Sequence, residues 1–370
     1  MLLGERRGSF DEVVRRLGAF VWQADRDAES DGFGGANHID SGIYIATRGA
    51  SRQLLPLEDS PGCYHARRMT EYSIGLDLGG TNLRAAAIDR GGKLLRLVTG
   101  HTQYSEGREA IMSDMVDAIA SLRDQQGAEG IAGIGVVVPG FISLEEGVVR
   151  NCNNIPSLEN FPIREELSRR LNAKVILEND ANAAALGEHW MGAGRGVNDL
   201  VLMTLGTGIG GGIICDGKMV RGFMGMGGEL GHMTVIPNGN PCGCGNRGCL
   251  EKHASATAVS AMGKLLGYGD VTAKQVYDRA VAGDERAREI FVCMGEALGI
   301  ALATLVNAFN APLYLLSGGV IGAWDFFAPA MLAEARWRSF SFRTTNTRVE
   351  KAQLGGEAGL FGAAYLPWSK

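Results

Sequence analysis

Two glycine hairpins of one design constrain this chain more than any other feature. The first leaves a strand ending Ile74-Gly75-Leu76-Asp77, turns through Leu78-Gly79-Gly80-Thr81-Asn82-Leu83, and enters a strand at Arg84. The second turns Leu200–Leu205 into Ile213–Cys215 through Gly206-Thr207-Gly208-Ile209-Gly210-Gly211-Gly212. Glycines between two strands let backbone N–H groups approach a phosphate, and a neighbouring threonine adds a hydroxyl. A tight hairpin needs the glycines for itself, but it gives no reason for Asp77. One such loop in each half of the chain argues for a duplicated α/β unit. Its halves would face each other across a cleft, each gripping one side of a nucleotide's phosphate chain. Neither loop has the spacing G-x-x-x-x-G-K-[ST].

The rest of the pattern supports alternating strands and helices. Tyr72–Asp77, Arg84–Asp89 and Lys93–Val98 read as a β-meander turned by Gly91-Gly92. A helix is expected over Glu106–Gln125, with Ile111, Met115, Val116, Ile119 and Leu122 on one face. Ile131–Val138 is apolar throughout, as in a strand buried on both faces. A short strand near Gly147–Arg150 leads into Asn151-Cys152-Asn153-Asn154. Asn-rich loops are turn formers, and their amides can also read sugar hydroxyls. Lys174–Glu178 delivers Asn179-Asp180 to an alanine-rich helix, Ala181–Trp190. Asp180 is then either a helix cap, worth about 1 kcal/mol, or a general base held at a rigid junction. The residues alone leave these two level. After Pro312–Leu316, Ser317-Gly318-Gly319-Val320 opens a helix whose start suits a phosphate or ribose. Ala254–Asn310 is helical, most clearly over Glu285–Phe309, and Gly355–Tyr365 closes the chain as a short helix.

Between the halves, Gly228–Glu251 carries His232, Cys242, Cys244 and Cys249 in the spacing H-x9-C-x-C-x4-C. Three thiols and one imidazole are what a closed tetrahedral structural zinc site asks for. Glu229 and Glu251 flank the ligands, so a bound metal would stiffen a loop bearing two carboxylates. The other cysteines, Cys63, Cys152, Cys215 and Cys293, are scattered. That usage fits a reducing compartment and a metal site, hence a cytoplasmic protein.

A net charge of -5 argues against a nucleic-acid surface or a polybasic membrane patch. No uninterrupted apolar run approaches the ~20 residues of a spanning helix. The opening MLLGERRGSFDEVVRR is charged where a secretory signal would carry its apolar core. Residues 1–68 are expected to be a poorly ordered or non-native extension, because the pattern turns regular only at Met69. They hold one capped amphipathic stretch, Ser9–Val21, and no second helix of recognition type.

Together the Asp77–Arg84 hairpin, Asn179-Asp180-Ala181-Asn182, the Leu205–Gly212 loop, Glu229-Leu230-Gly231-His232 and Cys242–Glu251 resemble the ROK family. That family comprises bacterial sugar kinases and related repressors. The resemblance runs from Tyr72 to about Tyr365 and implies an α/β protein of the actin-like, ribonuclease-H-like ATPase fold. Two α/β lobes would flank a cleft: residues 69–180, with 355–370 packing back, and residues 181–354, containing the zinc loop 228–251.

The resemblance also implies roles. Asp180 is the base that deprotonates the sugar's primary hydroxyl. Asn154, Asn179, Glu229, His232 and Glu251 bind the sugar. Gly79, Gly80 and Thr81, with Gly206, Thr207 and Gly208, hold the phosphates, and Asp77 positions Mg2+. Gly318 and Gly319 sit on the adenosine side. His232, Cys242, Cys244 and Cys249 hold structural Zn2+. The implied reaction is ATP-dependent phosphorylation of a hexose at C6. The first hairpin, the P-N-G-x-x-C-x-C loop and Ser255–Ala258 look most like the members that act on glucose. N-acetylglucosamine, N-acetylmannosamine, fructose or allose are the alternatives. The implied partners are the sugar and ATP, with no nucleic acid or membrane, in a homodimer. A sugar-responsive repressor is the reading of another class.

Overall fold

The computed structural model describes residues 71–79, 82–102, 104–152 and 155–369. The expectations placed on residues 1–68, Gly80, Thr81 and Asn154 lie outside the described residues.

The amino half starts as a meander, β1 (Tyr72–Leu78), β2 (Asn82–Asp89) and β3 (Leu94–His101). It continues through α1 (Arg108–Gln126), β4 (Ile131–Val138), the hairpin β5 (Phe141–Ser143) and β6 (Val148–Asn151), α2 (Ile163–Leu171) and β7 (Val175–Asn179). Helix α3 (Asp180–Met191) then crosses to a second meander, β8 (Leu200–Leu205), β9 (Ile209–Cys215) and β10 (Lys218–Met219). After the cysteine loop come α4 (Glu251–Ala254), α5 (Ala256–Gly263), α6 (Ala273–Val281) and α7 (Glu285–Phe309). The chain ends with β11 (Leu313–Ser317), α8 (Trp324–Arg338), α9 (Phe340–Thr344), β12 (Arg348–Lys351) and α10 (Ala358–Tyr365).

The two five-stranded sheets repeat one topology. Their orders are β3-β2-β1-β4-β7 and β10-β9-β8-β11-β12. In each, an antiparallel meander is followed by two strands parallel to its first. The duplication suggested by the paired hairpins is therefore present in the strand order. The central parallel strands are the apolar ones: the last five residues of β4 and all of β11 are buried. Such strands carry no alternating pattern because both faces are covered.

Helices α3 and α10 lie between the sheets, α10 against β1 and β4 and α3 against β8 and β9. Their contact is made of small residues. A Cβ on Gly187 would overlap the Ala358 carbonyl, and one on Gly362 would overlap the Ala183 carbonyl. Gly75 and Gly135 open the same space on the sheet beneath α10. Backbone faces backbone here, and backbone cannot yield as a side chain can. Gly362→Ala is therefore expected to cost about 2–3 kcal/mol in urea unfolding, whereas Gly283→Ala, which meets nothing, tests only its turn conformation.

The two chain crossings are tied by one carboxylate. Glu188, fully buried on α3, accepts the N–H groups of Ala193 at 2.9 Å, Gln353 at 3.1 Å and Leu354 at 2.6 Å. Three amides replace the water that burial removes. An 18-residue stretch of α7 is apolar enough to cross a bilayer, yet most of it is buried as the core helix of the second half. Its Phe291, Met294, Leu298 and Leu302 are buried, and Gly295 and Gly299 let α8 approach it closely.

Candidate functional site

The junction of β7 and α3 separates two roles that the sequence left level. Asn179 is the N-cap: its Oδ1 accepts the Asn182 N–H at 2.7 Å. Asp180 is the first helical residue, its Oδ1 accepting the Ala181 N–H at 2.8 Å. The cap is thus supplied by the neighbour, and Asp180 is available for chemistry. Solvent reaches its carboxylate, but the surrounding protein replaces much of its hydration. Burial raises its pKa, and the carboxylates of Asp77 and Glu229 raise it further against the lowering effect of the Ala181 N–H. A carboxyl tuned upward and still open to solvent is suited to accept a proton.

Asp77, next to last in β1, lies directly opposite Arg84 in the β1–β2 register. The Arg84 guanidinium lies 2.8 Å from Asp77 Oδ2 and also donates to the Gly356 carbonyl just ahead of α10. Burial raises the Asp77 pKa, while Arg84 opposes it by charge and hydrogen bond. Gly359, in the first turn of α10, faces the same carboxylate. The motif reading had no role for Arg84; its position opposite Asp77 across a hairpin was the available signal.

The second hairpin is held from behind. Gly206 N–H donates to Gly208 carbonyl at 2.9 Å, and Gly206 carbonyl accepts the Ala256 N–H at 2.8 Å. Thr257 Oγ1 donates to the Thr207 carbonyl at 2.7 Å. Glu251 Oε2 accepts the Ile209 N–H at 3.1 Å, and a Cβ on Gly208 would strike that carboxylate. One oxygen of Glu251 therefore anchors the hairpin, a task the sequence did not suggest. β9 begins at Ile209 rather than Ile213, because the glycines after it serve packing. Gly210 faces Ala181 and Gly212 faces Ala185, both on α3, and Gly211 faces Leu230. Gly318, at φ 101°, lies against the backbone of Leu205, beside the start of this hairpin. The helix expected there opens as a 3-10 turn, Gly319–Ala323, before α8.

His232, Cys242, Cys244 and Cys249 converge, their ligand atoms all within 4.8 Å of one another. Cys244 Sγ is 3.7 Å from Cys249 Sγ, and Cys242 Sγ is 3.6 Å from His232 Nδ1. Tetrahedral zinc, with bonds of ~2.3 Å to sulfur and ~2.0 Å to nitrogen, separates its ligands by roughly 3.8 and 3.5 Å. The donor set and spacing fit that ion. Burial, then the neighbouring thiols, push the Cys249 pKa up. A divalent cation is what would hold three thiolates together here. With Nδ1 turned to the cluster, His232 Nε2 lies 3.9 Å from Glu229 Oε2. Thr234 pairs with Cys249 and Pro241 with Arg247, so two isolated antiparallel bridges tie the loop across itself.

The structure thus gathers Asp77, Asp180 and Glu229 within electrostatic reach. It sets His232 beside Glu229, and Glu251 beneath the second hairpin.

The ROK family model matches residues 73–369. A glucokinase of Thermotoga maritima is 39% identical over 308 residues, covering 79% of this chain and 96% of its own length. A xylose repressor of Caldicellulosiruptor bescii is 31% identical, covering 78% of this chain and 76% of the repressor. Among solved structures, a ROK hexokinase from Thermus thermophilus superposes with a TM-score of 0.72 at 37% identity, covering 79% of this chain and 96% of that one. A ROK family glucokinase from Streptomyces griseus, in complex with glucose and AMPPNP, gives 0.66 at 32%, covering 80% and 98%. The chain belongs to the ROK family and has its actin-like, ribonuclease-H-like ATPase fold.

Proposed function

We propose that the protein is an ATP-dependent hexose kinase that phosphorylates the C6 hydroxyl of glucose. The observation that carries this reading is Asp180, relieved of capping by Asn179 and tuned upward beside Asp77 and Glu229. Asp180 accepts the proton of the sugar hydroxyl as that oxygen bonds to the γ-phosphorus. The bond from the γ-phosphorus to the bridging oxygen breaks, and ADP leaves. Phosphoryl transfer asks a protein mainly for alignment and charge stabilisation. Gly206–Gly208 and the Gly79–Thr81 turn hold the phosphates, and Gly318 and Gly319 take the adenosine side. Asn154, Asn179, Glu229, His232 and Glu251 read the sugar hydroxyls. Mg2+, held near Asp77, would neutralise phosphate charge. Zinc on His232, Cys242, Cys244 and Cys249 would be structural, since four protein ligands leave no open position.

A second reading, a sugar-responsive repressor, is favoured by the similarity to the xylose repressors. The presence of Asp77, Asp180 and both hairpins favours the kinase. Relative kcat/KM over glucose, N-acetylglucosamine, N-acetylmannosamine, fructose and allose tests the substrate, with glucose expected first. A higher value for any other sugar would reassign it. Tight DNA binding released by sugar, without turnover, would establish the repressor.

A further inference from the structure

Glu178, next to last in β7, is 1% exposed, among the apolar residues Val175 and Leu177. A buried carboxylate persists only where donors replace its hydration. Its Oε1 accepts the Asn182 side-chain amide at 3.0 Å and the Asn179 N–H at 3.2 Å. Its Oε2 accepts Arg221 Nε at 2.7 Å. Two of the partners are the capping residue beside Asp180 and the residue that it caps. The third comes from the other sheet, just after β10.

Arg221 begins the loop that ends at Glu229. Its carbonyl accepts the Gly227 N–H at 2.8 Å, closing the loop on itself. Gly222, Met224, Gly225 and Gly228 all take positive φ, so the path is tightly bent. A Cβ on Gly225 would lie 3.1 Å from the Ile142 carbonyl of β5, which places the loop against the first half of the molecule. At its far end Gly228 backs onto the Gly211 carbonyl and the Asn182 side chain.

We propose that Glu178 and Arg221 are a positioning pair that sets the sugar-reading loop of one sheet against the Asn179-Asp180 junction of the other. The pair touches no reacting atom. It fixes where Glu229 and His232 stand relative to Asp180, and this rests on the kinase reading above. An Arg is suited to the task because its fork fixes direction as well as charge.

The test separates positioning from stability. Arg221→Met is expected to raise the hexose KM about tenfold while the ATP KM stays within about twofold. Arg221→Lys should recover part of the loss, since it restores charge without the fork. Glu178→Gln should give the same split, and Arg221→Met should add little on top of it. Arg221 is 38% exposed, so its variants remain informative even where Glu178→Gln fails to fold. A hexose KM unchanged in Arg221→Met, or hexose and ATP KM rising together, overturns the pair. A wild-type protein that turns over no hexose sinks the kinase reading instead. Glucose binding by calorimetry then decides the pair: a Kd raised about tenfold in Arg221→Met supports it, and an unchanged Kd refutes it.

Discussion

Asp180→Asn is expected to lower kcat by about a thousandfold while glucose Kd changes by no more than about threefold. The amide keeps the size of the carboxyl and the helix keeps its cap from Asn179, so neither folding nor the sugar site should suffer. What is lost is the acceptor for the hydroxyl proton. Near-wild-type kcat would remove Asp180 from the mechanism. The pH profile carries an independent sign. Only the ionised carboxylate accepts a proton, and burial together with Asp77 and Glu229 raises its pKa. The acid limb of wild-type kcat/KM should therefore lie above the ordinary aspartate value of ~3.9, with activity lost as pH falls through it. A limb at or below that value would contradict the environment described for Asp180.

If the His232, Cys242, Cys244 and Cys249 cluster holds zinc as proposed, removing the metal is expected to damage sugar recognition and stability together. His232 of the cluster shares the loop with Glu229, and Cys249 lies two residues before Glu251, which anchors the second hairpin through Ile209. Chelation, or Cys249→Ser, should raise the hexose KM by about 10–100-fold and lower Tm by about 10 °C. The ATP KM should also rise, but less, because Ala256 and Thr257 hold the hairpin independently of the cluster. A metal-free protein with an unchanged hexose KM would show that the cluster has no part in presenting Glu229 and His232. Titration with zinc, followed by recovery of Tm and of hexose KM at the same stoichiometry, completes the check.

Much of the fold was legible because its signals are local. Apolar runs gave β4, β8 and β11, and the two Gly-Thr hairpins gave the duplicated topology before any strand order was known. Of the short elements, β6 was read from the sequence, but β5 and β12 were not. β5 and β12 are three and four residues long and are specified by their partners rather than by their own pattern. The α3–α10 contact was also silent, since small residues create no periodic stripe. Gly187 and Gly362 look like weak points in isolated helices and become necessary only when two backbones meet.

The site divides in the same way. The cysteine cluster and the Asp180 junction were visible as motifs. Glu178 and Glu188 were not, because a buried acid reads like any surface acid until its donors, distant in sequence, are known. Glu251 shows the limit of motif transfer: the motif placed it on the sugar, and the structure also gives one of its oxygens to the Ile209 amide. The glycine run after Thr207 mixes two tasks that composition cannot separate. Gly208 makes room for Glu251, and Gly210 and Gly212 make room for α3.

The central claim is that a phosphoryl group passes from ATP to the C6 hydroxyl of a hexose with Asp180 as base. It is tested most directly by ADP release with glucose and with 6-deoxyglucose, the product being identified by phosphorus NMR. The account predicts glucose-dependent ADP release yielding a 6-phosphate. It also predicts that 6-deoxyglucose competes for binding without turnover. ADP release with 6-deoxyglucose at the glucose rate, or no turnover with any hexose, would contradict it.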